Sequence, residues 1–187
     1  MEIKGRSVLL LGGSGLVGMA VARQLAVHSP RAVIVTGLTR GEAEKALNEL
    51  RAEEIFGENT KLTAEWGDIF LPEKLKDKSR RDVLEDPGAR GDLIDDLYGE
   101  LNEDVVNRSA LGALLLRHKP NIVIDTVNTA TAFAYQNIFD LATSIRATAT
   151  TSGSIPAADV ERVLATLYFP QLIRHVQIAL EGMRRVG

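Results

Sequence analysis

A wholly apolar run, Val8-Leu9-Leu10-Leu11, follows Ser7 and stops at a glycine string, Gly12-Gly13-Ser14-Gly15-Leu16-Val17-Gly18. A short apolar run that ends at glycine reads as a strand buried on both faces of a parallel sheet. From Leu16 to Val27 and just beyond, Val17, Ala20, Val21, Gln24, Leu25 and His28 recur at helical spacing. Ser29-Pro30 ends that helix, because the residue before proline is pushed out of the α region. The string holds GxxGxxG as Gly12, Gly15 and Gly18, and GxGxxG as Gly13, Gly15 and Gly18. Its context, after a strand and opening a helix, is what gives such a string meaning. Gly12 lets the chain leave the strand in a turn closed to residues with a Cβ. Gly15 lets backbone approach a pyrophosphate held by the amides and dipole of the helix start, and Gly18 permits close helix–strand packing. The alternative is a tight turn with no ligand.

The rest of the chain continues the alternation. Ala32 to Thr36 reads as a second strand and Gly41 to Phe56 as a helix of strong helix formers, with Gly57 at its C-cap. Residues 60–66 alternate more, which places a third strand nearer a sheet edge. From Gly67 to Gly91 the pattern dissolves into a charge run, residues 74–82, punctuated by Pro72, Pro87, Gly88 and Gly91. This segment is expected to be a charged, solvated surface excursion with one short helix; a lid is the alternative. Helices follow over 92–101 and 105–118, then a fourth strand at Asn121 to Asp125 and a helix at 131–147. A polar connection is expected at 148–153, then a helix capped by Ser154 and interrupted at Pro170, and last a helix over 172–185. The order predicts an α/β chain with a Rossmann-like, doubly wound parallel sheet in three layers. The expectation is one domain, 1–187, with 154–187 as C-terminal helices.

Composition narrows the function classes. The 187 residues contain no cysteine, which removes disulfides, zinc–cysteine sites and thiol nucleophiles. Acidic residues outnumber basic ones, 25 to 22, which argues against a nucleic-acid partner bound by phosphate neutralisation. Apolar runs are far short of the roughly 20 residues a membrane helix needs, and the N-terminus lacks a signal-peptide pattern. A cytoplasmic location is the expectation, with a small-molecule substrate as partner. No HExxH, EF-hand or Walker lysine is present, and no metal site is expected. His28, His118 and His175 are far apart, two of them near helix ends, where a histidine commonly acts as a cap or dipole partner.

The second strand of a dinucleotide fold normally ends in an acidic residue that binds the ribose 2′-hydroxyl of NAD. Here that place is held by Thr36, followed by Gly37-Leu38-Thr39-Arg40, and the first carboxylate is Glu42. An arginine can pair with a 2′-phosphate through a bidentate fork. Arg40 therefore favours NADP over NAD; the bland reading is a solvated residue at a helix start.

The glycine pattern, Gly67-Asp68-Ile69 after the third strand and residues 125–130 after the fourth together resemble the short-chain dehydrogenase/reductase superfamily, in its extended, NAD-dependent epimerase/dehydratase form. The resemblance covers residues 5 to 150. It implies that Asp68 bonds the adenine amino group, that Ile69 packs on the adenine ring, and that the loop holding Val127 and Asn128 passes beside the nicotinamide ribose. The cofactor site then comprises Gly12, Gly13, Ser14, Gly15, Leu16, Val17, Gly18, Thr36, Arg40, Asp68, Ile69, Val127 and Asn128.

The sequence departs from that family at its catalytic pair, a tyrosine followed four residues later by lysine. Tyr98, Tyr135 and Tyr168 are followed at that distance by Asn102, Phe139 and Leu172. The expectation is a cofactor-binding portion that stops after the fourth or fifth strand of an oxidoreductase or epimerase/dehydratase; the alternative is a non-catalytic NAD(P)-binding regulatory or assembly domain. Helices 131–147 and 172–185 suggest a homodimer face, with burial inside the monomer as the alternative.

Overall fold

A computed structural model describes residues 2–127 and 138–187. In chain order the elements are β1 (Ser7–Leu11), α1 (Leu16–Ala26), β2 (Ala32–Gly37), α2 (Arg40–Ala52), β3 (Lys61–Trp66), a 3-10 turn (Glu73–Leu75), α3 (Arg80–Glu85), α4 (Pro87–Tyr98), α5 (Glu103–Arg108), α6 (Ala110–His118), β4 (Ile122–Asp125), α7 (Ile138–Ser152), α8 (Ala157–Thr166) and α9 (Tyr168–Val186). They divide into two compact units, one of residues 2–68, 114–127 and 182–187, the other of residues 69–113 and 138–181.

The first unit carries a four-stranded, all-parallel sheet in the order β3-β2-β1-β4. Side chains alternate along each strand. Val8, Leu10, Val33 and Val35 face one way and form a core with Met19, Ala22 and Leu25 of α1 and Ala46 and Leu50 of α2. Leu9, Leu11 and Ile34 face the other way and are buried as well. On that second face Glu65 of β3 meets Arg117 and His118 at the end of α6. Covering both faces is what makes β1 read as an unbroken apolar run. Each fully buried leucine or valine contributes about 1.5–3 kcal/mol relative to exposure. The architecture is Rossmann-like α/β with helices on both sides of the sheet, as the alternation predicts, and β3 lies at the edge.

Boundaries differ where local chemistry overrides pattern. Helix α2 starts at Arg40 because Thr39 and Glu42 form a reciprocal capping box. It ends at Ala52, where Glu54 takes the left-handed conformation (φ 51°) expected of Gly57.

The second unit is helical. Leu71, Leu75, Val83, Ala89, Leu93, Leu97 and Ala165 form its core. Residues 67–91 therefore do not run over the surface as a solvated excursion. Lys74 and Arg81 point outward, while Leu71, Leu75, Val83 and Ala89 turn in. Pro87 sits at the first position of α4, where its missing N–H costs nothing, and Asp86 caps the start. Arg90 is only 3% exposed; it donates to the Leu84 carbonyl at 2.7 Å and pairs with Glu161 at 3.0 Å, tying α4 to α8. Arg174 of α9 donates to the Leu97 carbonyl at 3.1 Å and to that of Gly99, a cation at the C-terminus of α4.

The expected polar connection at 148–153 is helical through Ser152. Thr148, Thr150, Thr151 and Ser152 each donate a hydroxyl to the carbonyl four residues back, at 2.8–3.0 Å, so their polarity is absorbed by the helix. Residues 131–137 of the expected helix lie outside the described residues. Pro156, not Ser154, is the N-cap of α8. The helix restarts at Leu167 and not at Pro170: α8 ends at Thr166 and α9 begins at Tyr168, with the proline tolerated in its first turn, where the leading amides have no intrahelical partner. Along α9, Phe169, Ile173, Val176 and Leu180 form an exposed apolar stripe. Among the described residues, no helix is long and apolar enough to cross a membrane.

Candidate dinucleotide site

Strand order reverses between β1 and β4, whose chain neighbours β2 and β3 lie on one side of β1 and β4 on the other. In open parallel sheets the crevice beyond the carboxyl ends of such strands is the usual ligand position. Gly12 leaves β1 at φ +69°, and a Cβ built on it would stand 3.1 Å from the Thr126 carbonyl carbon and from the Val127 nitrogen. The turn after β1 and the loop after β4 thus meet backbone to backbone at the switch point, and only glycine fits there. Thr126 holds the second loop in place, donating both its amide and its hydroxyl to the Leu11 carbonyl. The Val127 amide donates to Asp125 at 2.9 Å.

The turn itself is pinned to β2. The Gly12 amide donates to the Thr36 hydroxyl oxygen, and the Ser14 amide donates to the Thr36 carbonyl, both at 3.0 Å. Thr36 is buried, so this residue acts as a latch on the glycine turn. Gly15 caps α1 and donates to the Gly12 carbonyl. A Cβ on Gly13 would stand 2.7 Å from a Val35 methyl, and one on Gly18 would stand 2.5 Å from the Gly13 Cα. These two glycines let the first turn of α1 press against the end of β1.

That first turn is open. No side chain caps α1, and no acidic residue lies in its first turn. The α-helical pattern leaves its leading amides without intrahelical partners. Leu16 and Val17, which start the helix, are 94% and 64% exposed.

Around the end of β2 the picture is different. A Cβ on Gly37 would stand 3.0 Å from the Ser14 hydroxyl and 2.9 Å from the Ala43 nitrogen, so the start of α2 closes onto the glycine turn. Glu42 accepts from the Leu38 and Thr39 amides at 3.2 and 3.3 Å. Arg40 is bonded through Nε to Glu44 at 2.7 Å, and its guanidinium lies over the Trp66 ring, 5.1 Å from the centroid. The Glu44 carboxylate raises the Arg40 pKa further above its ordinary value. Gly67, at φ +121°, donates to the Gly37 carbonyl and sets Asp68 beside this end of the sheet.

Of the residues read from sequence, the structure brings Gly12, Gly13, Ser14, Gly15, Gly18, Thr36 and Val127 together, with Leu16 and Val17 on the open first turn. Arg40 lies beside them at the start of α2 and Asp68 after β3. Ile69 is buried in the second compact unit. Asn128 lies outside the described residues. Sequence reasoning missed Gly37, Glu42, Glu44 and Trp66. The Thr39-x-x-Glu42 spacing was the available signal for the capping box; nothing in the sequence marked Trp66 as the surface on which Arg40 lies.

The second unit contains an open cavity of about 700 Å³ between α3, α7 and α8, lined by Arg81, Leu84, Leu141, Asp159, Arg162 and Thr166 among others. Of the charged side chains at this cavity, Arg81 pairs with Glu85 and Arg162 with Asp159, each within a single helix, and Arg80 donates to Gln171 at 3.0 Å. Among the described residues, no three histidines or acids are grouped to hold a metal ion.

The chain matches no family model, no curated protein and no solved structure.

Proposed function

We propose that the first unit binds a nicotinamide dinucleotide, NAD or NADP, on the glycine turn, as the cofactor-binding part of an oxidoreductase or epimerase/dehydratase of the short-chain dehydrogenase type. The observation that carries this reading is the pairing of an uncapped α1 N-terminus with a glycine cradle at the switch point of a parallel sheet. A Cβ at Gly12, Gly13 or Gly18 would fill that cradle or break it. Gly12 to Gly18 would hold the pyrophosphate through backbone amides and the positive end of α1. Leu16 and Val17 would cover apolar parts of the ligand, and Val127 would border the end nearer β4. Arg40, Trp66 and Asp68 stand at or just past the ends of β2 and β3, where the adenosine half of a dinucleotide lies in this fold. When bound, the cofactor supplies a hydride acceptor or donor.

The chain's own residues do the holding. Thr36 keeps the turn in register, and the exposed amides of α1 replace water around the phosphates. No tyrosine is followed by lysine four residues on, so acid–base chemistry is not assigned to this sequence. Titration with NADH and NADPH, followed by the fluorescence of the reduced nicotinamide, tests the reading. Saturable binding of either supports it; no binding of either contradicts it.

A further inference from the structure

Two helix starts border the proposed site, and the sequence equips them oppositely. Helix α1 begins with glycine, no capping side chain and no acid in its first turn. Helix α2 begins with a complete capping box, in which Thr39 Oγ1 accepts from the Glu42 amide at 3.3 Å while Glu42 accepts from the Leu38 and Thr39 amides. The amides beyond β2 are therefore occupied by the chain's own carboxylate. The cation there, Arg40, is engaged by a second carboxylate, Glu44, and by the Trp66 ring.

We propose that Glu42 and Glu44 select a dinucleotide whose adenosine ribose carries no 2′-phosphate, so that the cofactor is NAD rather than NADP; this rests on the binding reading above. A phosphomonoester brings roughly two negative charges near neutral pH. Beside β2 it would meet one carboxylate seated on the loop amides and another competing for the arginine. Ribose hydroxyls, in contrast, are donors and suit carboxylate acceptors. Glu42 then fills, from the first turn of α2, the role that an acidic residue at the end of β2 has in this fold. The exposed Arg40–Glu44 pair is weak by itself, which places the larger share on Glu42.

Dissociation constants for NADH and NADPH, measured on the chain and on Glu42→Gln and Glu44→Gln, test this. The unsubstituted chain is expected to bind NADH about tenfold more tightly than NADPH. Glu42→Gln keeps an acceptor for the loop amides but loses the charge, and is expected to shift the ratio toward NADPH by about tenfold. Glu44→Gln should shift it the same way by less. Equal or tighter binding of NADPH by the unsubstituted chain overturns the proposal, as does an unchanged ratio in a folded Glu42→Gln chain. If Glu42→Gln fails to fold by circular dichroism, Glu44→Gln decides, since it leaves the capping box intact; no shift there overturns it. Failure of both dinucleotides to bind is a different result and removes the binding reading itself.

Discussion

A side chain at Gly18 has no room, because a Cβ there would stand 2.5 Å from the Cα of Gly13. The neighbouring atoms are backbone, and the first turn of α1 cannot withdraw without opening the core shared by Met19, Ala22 and β1. Gly18→Ala is therefore expected to destabilise the chain by about 1–3 kcal/mol and to abolish dinucleotide binding. Gly91→Ala is the control: a Cβ there meets open space inside α4, so the helix should gain about 0.5–1 kcal/mol. Thermal melting of both variants checks the contrast, and a Gly18→Ala chain as stable as the parent would contradict it.

Thr36→Val removes the acceptor that the half-buried Gly12 amide uses while keeping the side chain's shape. A fully buried unsatisfied amide costs about 1–3 kcal/mol, and the cost here is expected at the low end, about 1 kcal/mol. Thr36→Ser retains the oxygen and should cost less. Urea denaturation of the pair measures the difference. If valine and serine destabilise equally, the latch assigned to Thr36 is wrong.

Two carboxylates are expected to pull the acid limb of stability in opposite directions. Burial pushes the Glu65 carboxyl up, but hydrogen bonds from His118 and Arg117 outweigh it and hold the group below its ordinary range. Its contribution is present above the ordinary carboxylate pKa, about 4.3, and is lost as pH falls through the lowered value. Burial of Asp96 pushes its carboxyl up, and Arg108 offsets this only in part. That group therefore costs stability as pH rises from the ordinary aspartate value, about 3.9, through the raised one. Glu65→Gln should flatten the fall in stability below pH about 4, and Asp96→Asn should remove the gain in stability that the parent makes as pH falls toward about 3.9. Melting temperatures between pH 3 and 7 give both slopes; parallel shifts would contradict the assignment.

The sheet and its glycine turn were legible because one physical signal dominated each. Val8 to Leu11 are buried on both faces, and α1 ends at Ala26, one residue from the expected stop. The second unit was obscured because its charged residues, Lys74 to Asp82, hide apolar positions at Leu71, Leu75 and Val83 that only tertiary packing connects. Pro87 reads equally as a breaker or as a first helical residue, and Asp86 settles it as a start. The serines and threonines of 148–152 favour loops in isolation, but their hydroxyls bond back into α7. At the site, the backbone requirements of Gly12 and Gly18 were visible, whereas the occupation of Arg40 by Glu44 and Trp66 depends on how β3 meets α2.

The most direct test of the central claim is an amide-resolved NMR titration of the isotopically labelled chain with NAD. Binding at the glycine turn predicts saturable shifts concentrated on the amides of Gly12 to Gly18 and Val127, with the largest at Leu16 and Val17. No shifts, or shifts confined to residues 69–113 and 138–181, would contradict the account.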